Sequence, residues 1–381
     1  MTAYLDNAAT TKVCSEAANA ALNIMTENYG NPSSTHKMGR DAKQVLDESR
    51  GKLAKALGAN PEEIFFTSSG SESDNWAILS GAELGKRRGK HIISSEAEHS
   101  AVIKSLAALE KQGFEVTMLK PEKDGSISVD SVLDALREDT ILVSLMLVNN
   151  ETGGITDIGA ISKALKKNGS TAILHTDAVQ GFLKVPFSAK TLGADMISVS
   201  GHKIHAPKGV AALYIKGGAK ALNLSPIIVG GSQELGKRAG TEALSQIAAF
   251  AAAAEIGSNL FENSRRDMLR LKELAANRLL SENEGLLILS GNSPHILNIS
   301  LPGYKSEVVM NFLDARGIYV SKSSACKKGG RSYVLESIGL SGDVIDGALR
   351  ISFSRFTTED EVMALCDGIS EARKKLYKVL Q

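Results

Sequence analysis

The stretch Ile158-Gly159-Ala160-Ile161-Ser162-Lys163-Ala164-Leu165-Lys166-Lys167-Asn168-Gly169-Ser170-Thr171-Ala172-Ile173-Leu174-His175-Thr176-Asp177 decides the fold. Its first half, Ile158 to Asn168, is an amphipathic run of helix length closed by Gly169, a residue that accepts the left-handed backbone at a helix C-terminus. Its second half, Ala172 to Thr176, is a short apolar run of strand length that ends at an acid. A helix delivered into a buried strand is half of a βαβ unit.

The same rhythm extends outward from about residue 60 to 215. Strands are expected at Ile64 to Thr67, His91 to Ser94, Phe114 to Leu119, Ile141 to Val148, Ala172 to Thr176, Met196 to Ser200 and Val210 to Ile215, with a helix at Ser100 to Gln112. A long helix, Lys37 to Leu57, precedes them and ends at Gly58. The pattern changes after the alanine-rich segment Ala243 to Ile256. A charged helix, Asn263 to Leu280, is followed by shorter elements and the turn Leu301-Pro302-Gly303, and the chain closes with a helix from Thr358 to Leu380. There Thr358 and Glu361 form a capping box, and Val362, Leu365, Cys366, Ile369, Leu376 and Val379 recur at helical spacing, so Cys366 reads as core. The expectation is an α/β fold with a large, mostly parallel sheet and a second, smaller domain.

Composition excludes several functions. The 381 residues exceed one ordinary core, and 43% of them are hydrophobic, enough for a globular chain. Lys and Arg number 44 against 43 Asp and Glu, so no net field gathers polyanions, and neither nucleic acid nor a membrane surface is an expected partner. Cys14, Cys326 and Cys366 are odd in number and far apart, which argues against disulfide staples and a cysteine-rich zinc site and for a reducing compartment. The N-terminal residues lack the pattern of a secretory leader, and no apolar run is long enough to span a bilayer. A cytoplasmic location is expected.

Three polar clusters fall at ends of the expected strands, where open α/β sheets collect ligands. Thr67-Ser68-Ser69-Gly70-Ser71-Glu72-Ser73-Asp74-Asn75 runs from a strand into a helix and offers hydroxyls and N–H groups to a phosphate, although it also reads as an ordinary N-cap. Asp177, with Gln180 after it, sits at a strand end where a half-buried carboxylate persists beside a cation such as a protonated ring nitrogen; a structural cap is the other reading. In Ser200-Gly201-His202-Lys203-Ile204-His205, a lysine directly after a buried strand is suited to imine formation with an aldehyde. Alone, it is as readily a solvated loop lysine. The pair His202 and His205 has no convincing third ligand, so no metal site is expected. Phosphate turn, acid and lysine together are the three anchors of pyridoxal 5′-phosphate (PLP). A fourth cluster, Ser321-Lys322-Ser323-Ser324-Ala325-Cys326-Lys327-Lys328-Gly329-Gly330-Arg331, surrounds a cysteine with cations, which lower a thiol's pKa toward the nucleophilic thiolate. Cys14 has no such surroundings.

These residues, in order, resemble the cysteine desulfurases, IscS/NifS-like enzymes of the fold-type I PLP superfamily. The likeness runs through Tyr4-Leu5-Asp6-Asn7-Ala8-Ala9-Thr10-Thr11, Gly30-Asn31-Pro32-Ser33-Ser34 with His36, the Ser71 to Asn75 turn, Glu98-His99 and Val148-Asn149-Asn150-Glu151. It continues through Asp177 with Gln180, Ser200 to Lys203, Arg238-Ala239-Gly240-Thr241, Ser324-Ala325-Cys326 and Leu349-Arg350-Ile351-Ser352. The resemblance implies a large PLP-binding domain at 15–257 and a small α+β domain from 1–14 and 258–381 carrying the cysteine loop. It implies that Lys203 binds the cofactor aldehyde, Asp177 the pyridine nitrogen and Gln180 the phenolate oxygen, while His99 stacks on the ring. Gly70, Ser71, Ser200 and His202 would hold the phosphate, with Thr241 reaching in from the partner subunit of a homodimer. Asn150, itself close to the cofactor, and Arg350 would bind the substrate carboxylate.

The implied reaction converts L-cysteine to L-alanine, with Lys203 and His99 moving protons and Cys326 taking the sulfur as a persulfide for an acceptor protein of iron–sulfur cluster assembly or tRNA thiolation. Other readings are a selenocysteine lyase, an aminotransferase, or a non-catalytic PLP-fold scaffold. The chain departs from the family pattern where Lys322 and Ser323 replace the usual residues of the cysteine loop, a glycine among them, where Lys327 and Lys328 follow it, and where Leu235 replaces an arginine. The loop length matches the long-loop group rather than the short-loop SufS-like one.

Overall fold

The computed structural model describes residues 2–322 and 330–378. Cys326, with Ser323, Lys327 and Lys328, lies outside the described residues.

Seven strands, all but the edge strand β3 fully buried, form the main sheet: β1 (Ile64–Thr67), β2 (His91–Ser95), β3 (Glu115–Leu119), β4 (Thr140–Ser144), β5 (Ile173–Asp177), β6 (Met196–Ser200) and β7 (Ala211–Ile215). Their order is β1-β7-β6-β5-β4-β2-β3. Strands β2 to β6 are mutually parallel, and only β7 is reversed. Because β1 pairs antiparallel with β7, it points the same way as the rest, so six C-terminal strand ends share one edge. Helices cover both faces, as a sheet apolar on both sides requires. One core contains Leu46, Leu53, Val143, Ile197 and Phe250; the other contains Phe65, Trp76, Ile92 and Leu213.

A second sheet is antiparallel: β8 (Leu287–Ile288), β9 (Ile296–Ser300), β10 (Ser321–Lys322) and β11 (Ala348–Ser352), ordered β10-β11-β9-β8. It packs with the helices Phe261–Glu282 and Glu359–Lys375 around a separate core that includes Leu271, Leu297, Ile351 and Cys366. Ala3 and Leu5 of the N-terminal segment belong to this core, Ala3–Tyr4 pairs with Ile318–Tyr319, and Asp6 bridges to Ser352. Cys14 and Cys366 are free, buried thiols, and burial pushes Cys366 up to about 11.

Two expected elements stop well before the residue at which the pattern ends them. The strand expected to run to Val148 stops at Ser144: Leu147 N still donates to Asp177 O, but on the other side Met146 N donates to the Glu98 carboxylate instead of a strand partner. The closing helix ends at Lys375, where Leu376 turns extended (φ −92°, ψ 143°). The helix Lys37–Leu57 ends as read, with Gly58 left-handed at φ 64°. Among the described residues no helix is long and apolar enough to cross a membrane.

Candidate active site

The shared edge of strand ends opens into a cavity of about 340 Å³. Gly70, Ser71, His99, Asn150, Asp177, Gln180, Ser200, His202, Lys203 and Arg350 all line it. Thr241 does not; it is exposed. Shared strand direction brings together the segments from Gly70 to Lys203, and Arg350 joins them from β11 of the second sheet.

At the end of β1 the helix Gly70–Gly85 begins, its N-cap Ser69 accepting from Glu72 N at 3.1 Å. Gly70 and Ser71 therefore stand at the positive end of a helix dipole. A Cβ at Gly70 would lie 2.9 Å from Val179 Cγ2, just after β5, so a side chain here would press on Val179; Ser200 Cβ of β6, at 3.7 Å, would be in ordinary contact. The Ser200 hydroxyl is buried and has no hydrogen-bond partner among the described residues. His202 Nδ1 is 3.3 Å from Thr10 Oγ1, and burial with the neighbouring Lys203 and Lys208 charges pushes the ring down to about 4, keeping it neutral.

Asp177 is buried at the end of β5, with Oδ1 accepting from Val179 N at 2.9 Å. Burial raises its pKa, and the His99 and Lys203 charges oppose that rise. Lys203 Nζ donates to Ala8 O (2.6 Å) and Ala9 O (2.7 Å), and Gln180 Nε2 donates to Ala8 O (2.9 Å), so the N-terminal segment closes over the lysine. His99 caps the helix Ser100–Glu110; its Nδ1 accepts from Ala101 N at 3.2 Å, which leaves the ring hydrogen on Nε2 and fixes the ring plane.

Arg350, on β11, is buried and donates to Asn150 O and Asp6 Oδ1, each at 3.0 Å. Its Nε has no partner among the described residues, so the guanidinium retains capacity for an anion.

The sequence reading gave no role to Asp74, Met146, Glu151 or Tyr333, which also line the cavity, or to Glu98 just behind it. Glu98 Oε1 accepts from Ser95 Oγ (2.8 Å) and Met146 N (2.9 Å). Burial, reinforced by Asp177, pushes Glu98 up to about 8. Asp74, 3.7 Å from His175 Nε2, is raised well above the usual range by burial and by Asp177, while burial lowers His175 to about 3. Of Asp74, Glu98 and Asp177, only Asp177 has its rise opposed by a neighbouring lysine, Lys203. Burial raises Glu151 to about 7, against a hydrogen bond from Ser332 Oγ and the charge of Arg350. Glu98 and Glu151 each adjoin a quoted site residue, His99 and Asn150, and that adjacency was the available signal.

The group set fits PLP. A buried, unpartnered serine hydroxyl and a helix start at Gly70 suit the phosphate, a buried carboxylate between His99 and Lys203 suits a ring nitrogen, and Lys203 supplies the amine for the aldehyde.

The family model for aminotransferase class V matches residues 3–365. A "Cysteine desulfurase IscS" from Methanosarcina thermophila is 42% identical over 384 residues, covering 98% of this chain and 92% of that protein. A solved structure titled "NifS-like protein" superposes with a TM-score of 0.93 at 35% identity, covering 99% of this chain and all of that one. Another, titled "SspA in complex with cysteine", superposes with a TM-score of 0.82 at 31% identity, covering 94% of this chain and all of that one.

Proposed function

We propose that this chain, a PLP-dependent cysteine desulfurase of the aminotransferase class-V family, moves the sulfur of L-cysteine onto Cys326. The observation that carries the reading is the convergence of Lys203, Asp177, His99, Ser200 and Arg350 on one cavity at the strand ends. Domain boundaries at 15–257 and at 1–14 with 258–381 are part of the same proposal.

Lys203 holds the cofactor aldehyde, Asp177 the pyridine nitrogen and Gln180 the phenolate oxygen; His99 lies on the ring, and Gly70, Ser71, Ser200 and His202 take the phosphate. PLP, when bound, supplies an electron-accepting ring that delocalises the charge left as the substrate α-proton departs. Arg350 and Asn150 orient the substrate carboxylate, which fixes the direction of its α-C–H and C–S bonds. Lys203 Nζ takes the α-proton, and His99 Nε2 exchanges protons at the substrate. The Cys326 thiolate then attacks the substrate sulfur: an S–S bond forms, the Cβ–S bond breaks, and its electron pair stays with the carbon skeleton. That skeleton takes up one proton at Cβ, regains a proton at Cα, and leaves as alanine.

Thr241 would complete the phosphate site of a second copy. The neighbouring Ile227, Ile228, Val229 and Leu235, exposed at 38%, 38%, 77% and 71%, support a homodimer formed through this face. The acceptor is a sulfur-carrying protein of iron–sulfur assembly or tRNA thiolation, and the location is cytoplasmic. Incubation of the PLP-loaded protein with L-cysteine tests the reading. Alanine should appear in step with transferred sulfur, and absence of alanine would refute it.

A further inference from the structure

We infer that Ser332 and Tyr333 are positioning residues for sulfur transfer, clamping the chain that follows Cys326 onto the wall of the cavity. The inference rests on the desulfurase reading above and adds to it a device outside the cofactor anchors.

Ser332 is 2% exposed and caps the helix Tyr333–Ser337, accepting from Leu335 N at 3.1 Å. The same hydroxyl donates to the Glu151 carboxylate. Tyr333, one residue on, lines the cavity, and its hydroxyl donates to Glu98 O. The two acceptors are the sequence neighbours of Asn150 and His99, so the clamp grips the chain beside a substrate anchor and beside the residue on the ring.

Glu151 is itself fixed. Its N–H donates to Asn149 Oδ1 at 2.9 Å, and its carbonyl accepts from Asn298 Nδ2 at 3.0 Å. The clamp thus joins a helix start belonging to the second sheet's side of the molecule to the ends of β2 and β4. Cys326 is six residues upstream of Ser332, and a six-residue tether reaches at most roughly 20 Å. The clamp therefore fixes the origin from which the thiol is delivered, and with it the thiol's effective concentration at the substrate sulfur. The two hydroxyls donate to the Glu151 carboxylate and to Glu98 O, neither of them a cofactor anchor, so loss of the clamp should act on sulfur transfer after substrate has engaged the cofactor.

The test uses PLP-loaded Ser332→Ala, Tyr333→Phe, the double variant and Ser332→Thr, mixed rapidly with cysteine. Two signals are followed: the change in the visible band as cysteine engages the cofactor, and the added mass of one sulfur on Cys326 after quenching. The band change should keep its native rate in every variant. Persulfide formation should slow by roughly fivefold in each hydroxyl-deleting single variant, as loss of about one net hydrogen bond implies. It should slow further in the double variant and return toward native in Ser332→Thr, which keeps the hydroxyl. A native persulfide rate in the double variant would overturn the clamp, as would a parallel loss of both signals, the mark of a purely structural role. Absence of persulfide on native enzyme would instead overturn the desulfurase reading.

Discussion

Replacing Glu98 by Gln should make the protein's stability less sensitive to pH, in a window set by the buried carboxyl. Glu98 is fully buried, one of its oxygens accepts from Ser95 and Met146, and the other has no partner among the described residues. The nearest charge raising it further is Asp177, and burial moves it from 4.5 to about 8. A group whose pKa is higher folded than unfolded stabilises the fold below its unfolded value, and that stabilisation is lost as pH rises through the folded value. Native protein should therefore lose stability from about pH 4.5 to about pH 8 on account of Glu98. The slope approaches about 1.4 kcal/mol per pH unit, on the order of 5 kcal/mol across the window. Gln keeps the acceptor oxygen and mimics the protonated acid, so the variant lacks this loss. Urea unfolding of both PLP-loaded proteins at intervals across and above the window is the assay. The difference should grow in favour of Gln with rising pH and level off above the folded value. A difference independent of pH would refute the reasoning, because it would mean that the buried carboxyl titrates alike in both states.

Arg350→Lys keeps the charge and loses the planar fork, so kcat/KM for cysteine should fall on the order of 10²-fold, with PLP absorbance retained; steady-state kinetics check this. Gly70→Ala introduces a Cβ 2.9 Å from Val179 Cγ2, and PLP affinity, measured by fluorescence titration, should weaken while the fold persists. Cys366→Ala removes a fully buried sulfur from the second core and should lower unfolding stability by about 1–2 kcal/mol, leaving alanine production intact.

Most of the main sheet was legible because its strands are short apolar runs punctuated by glycine and polar clusters. The end of β4 was not, because Leu145 to Val148 are as apolar as the strand before them. What stops the strand is Glu98, a carboxylate nearly fifty residues earlier that takes Met146 N. The cofactor anchors were legible as a set, since a phosphate turn, an acid and a lysine each close a strand. Asp74 and Glu98 were quoted as letters of a motif without a role, because their burial beside Asp177 arises only when three strand ends converge. Ser332 and Tyr333 were silent for the same reason: their partners, Glu151 and Glu98, are 181 and 235 residues away.

The most direct test of the account is the mass of Cys326 after PLP-loaded enzyme meets one equivalent of L-cysteine without an acceptor or a reductant. The account predicts one added sulfur atom on Cys326, an equal amount of alanine, and neither product in Cys326→Ala, which should retain the native cofactor band. Alanine and sulfide formed at the native rate by Cys326→Ala would contradict it.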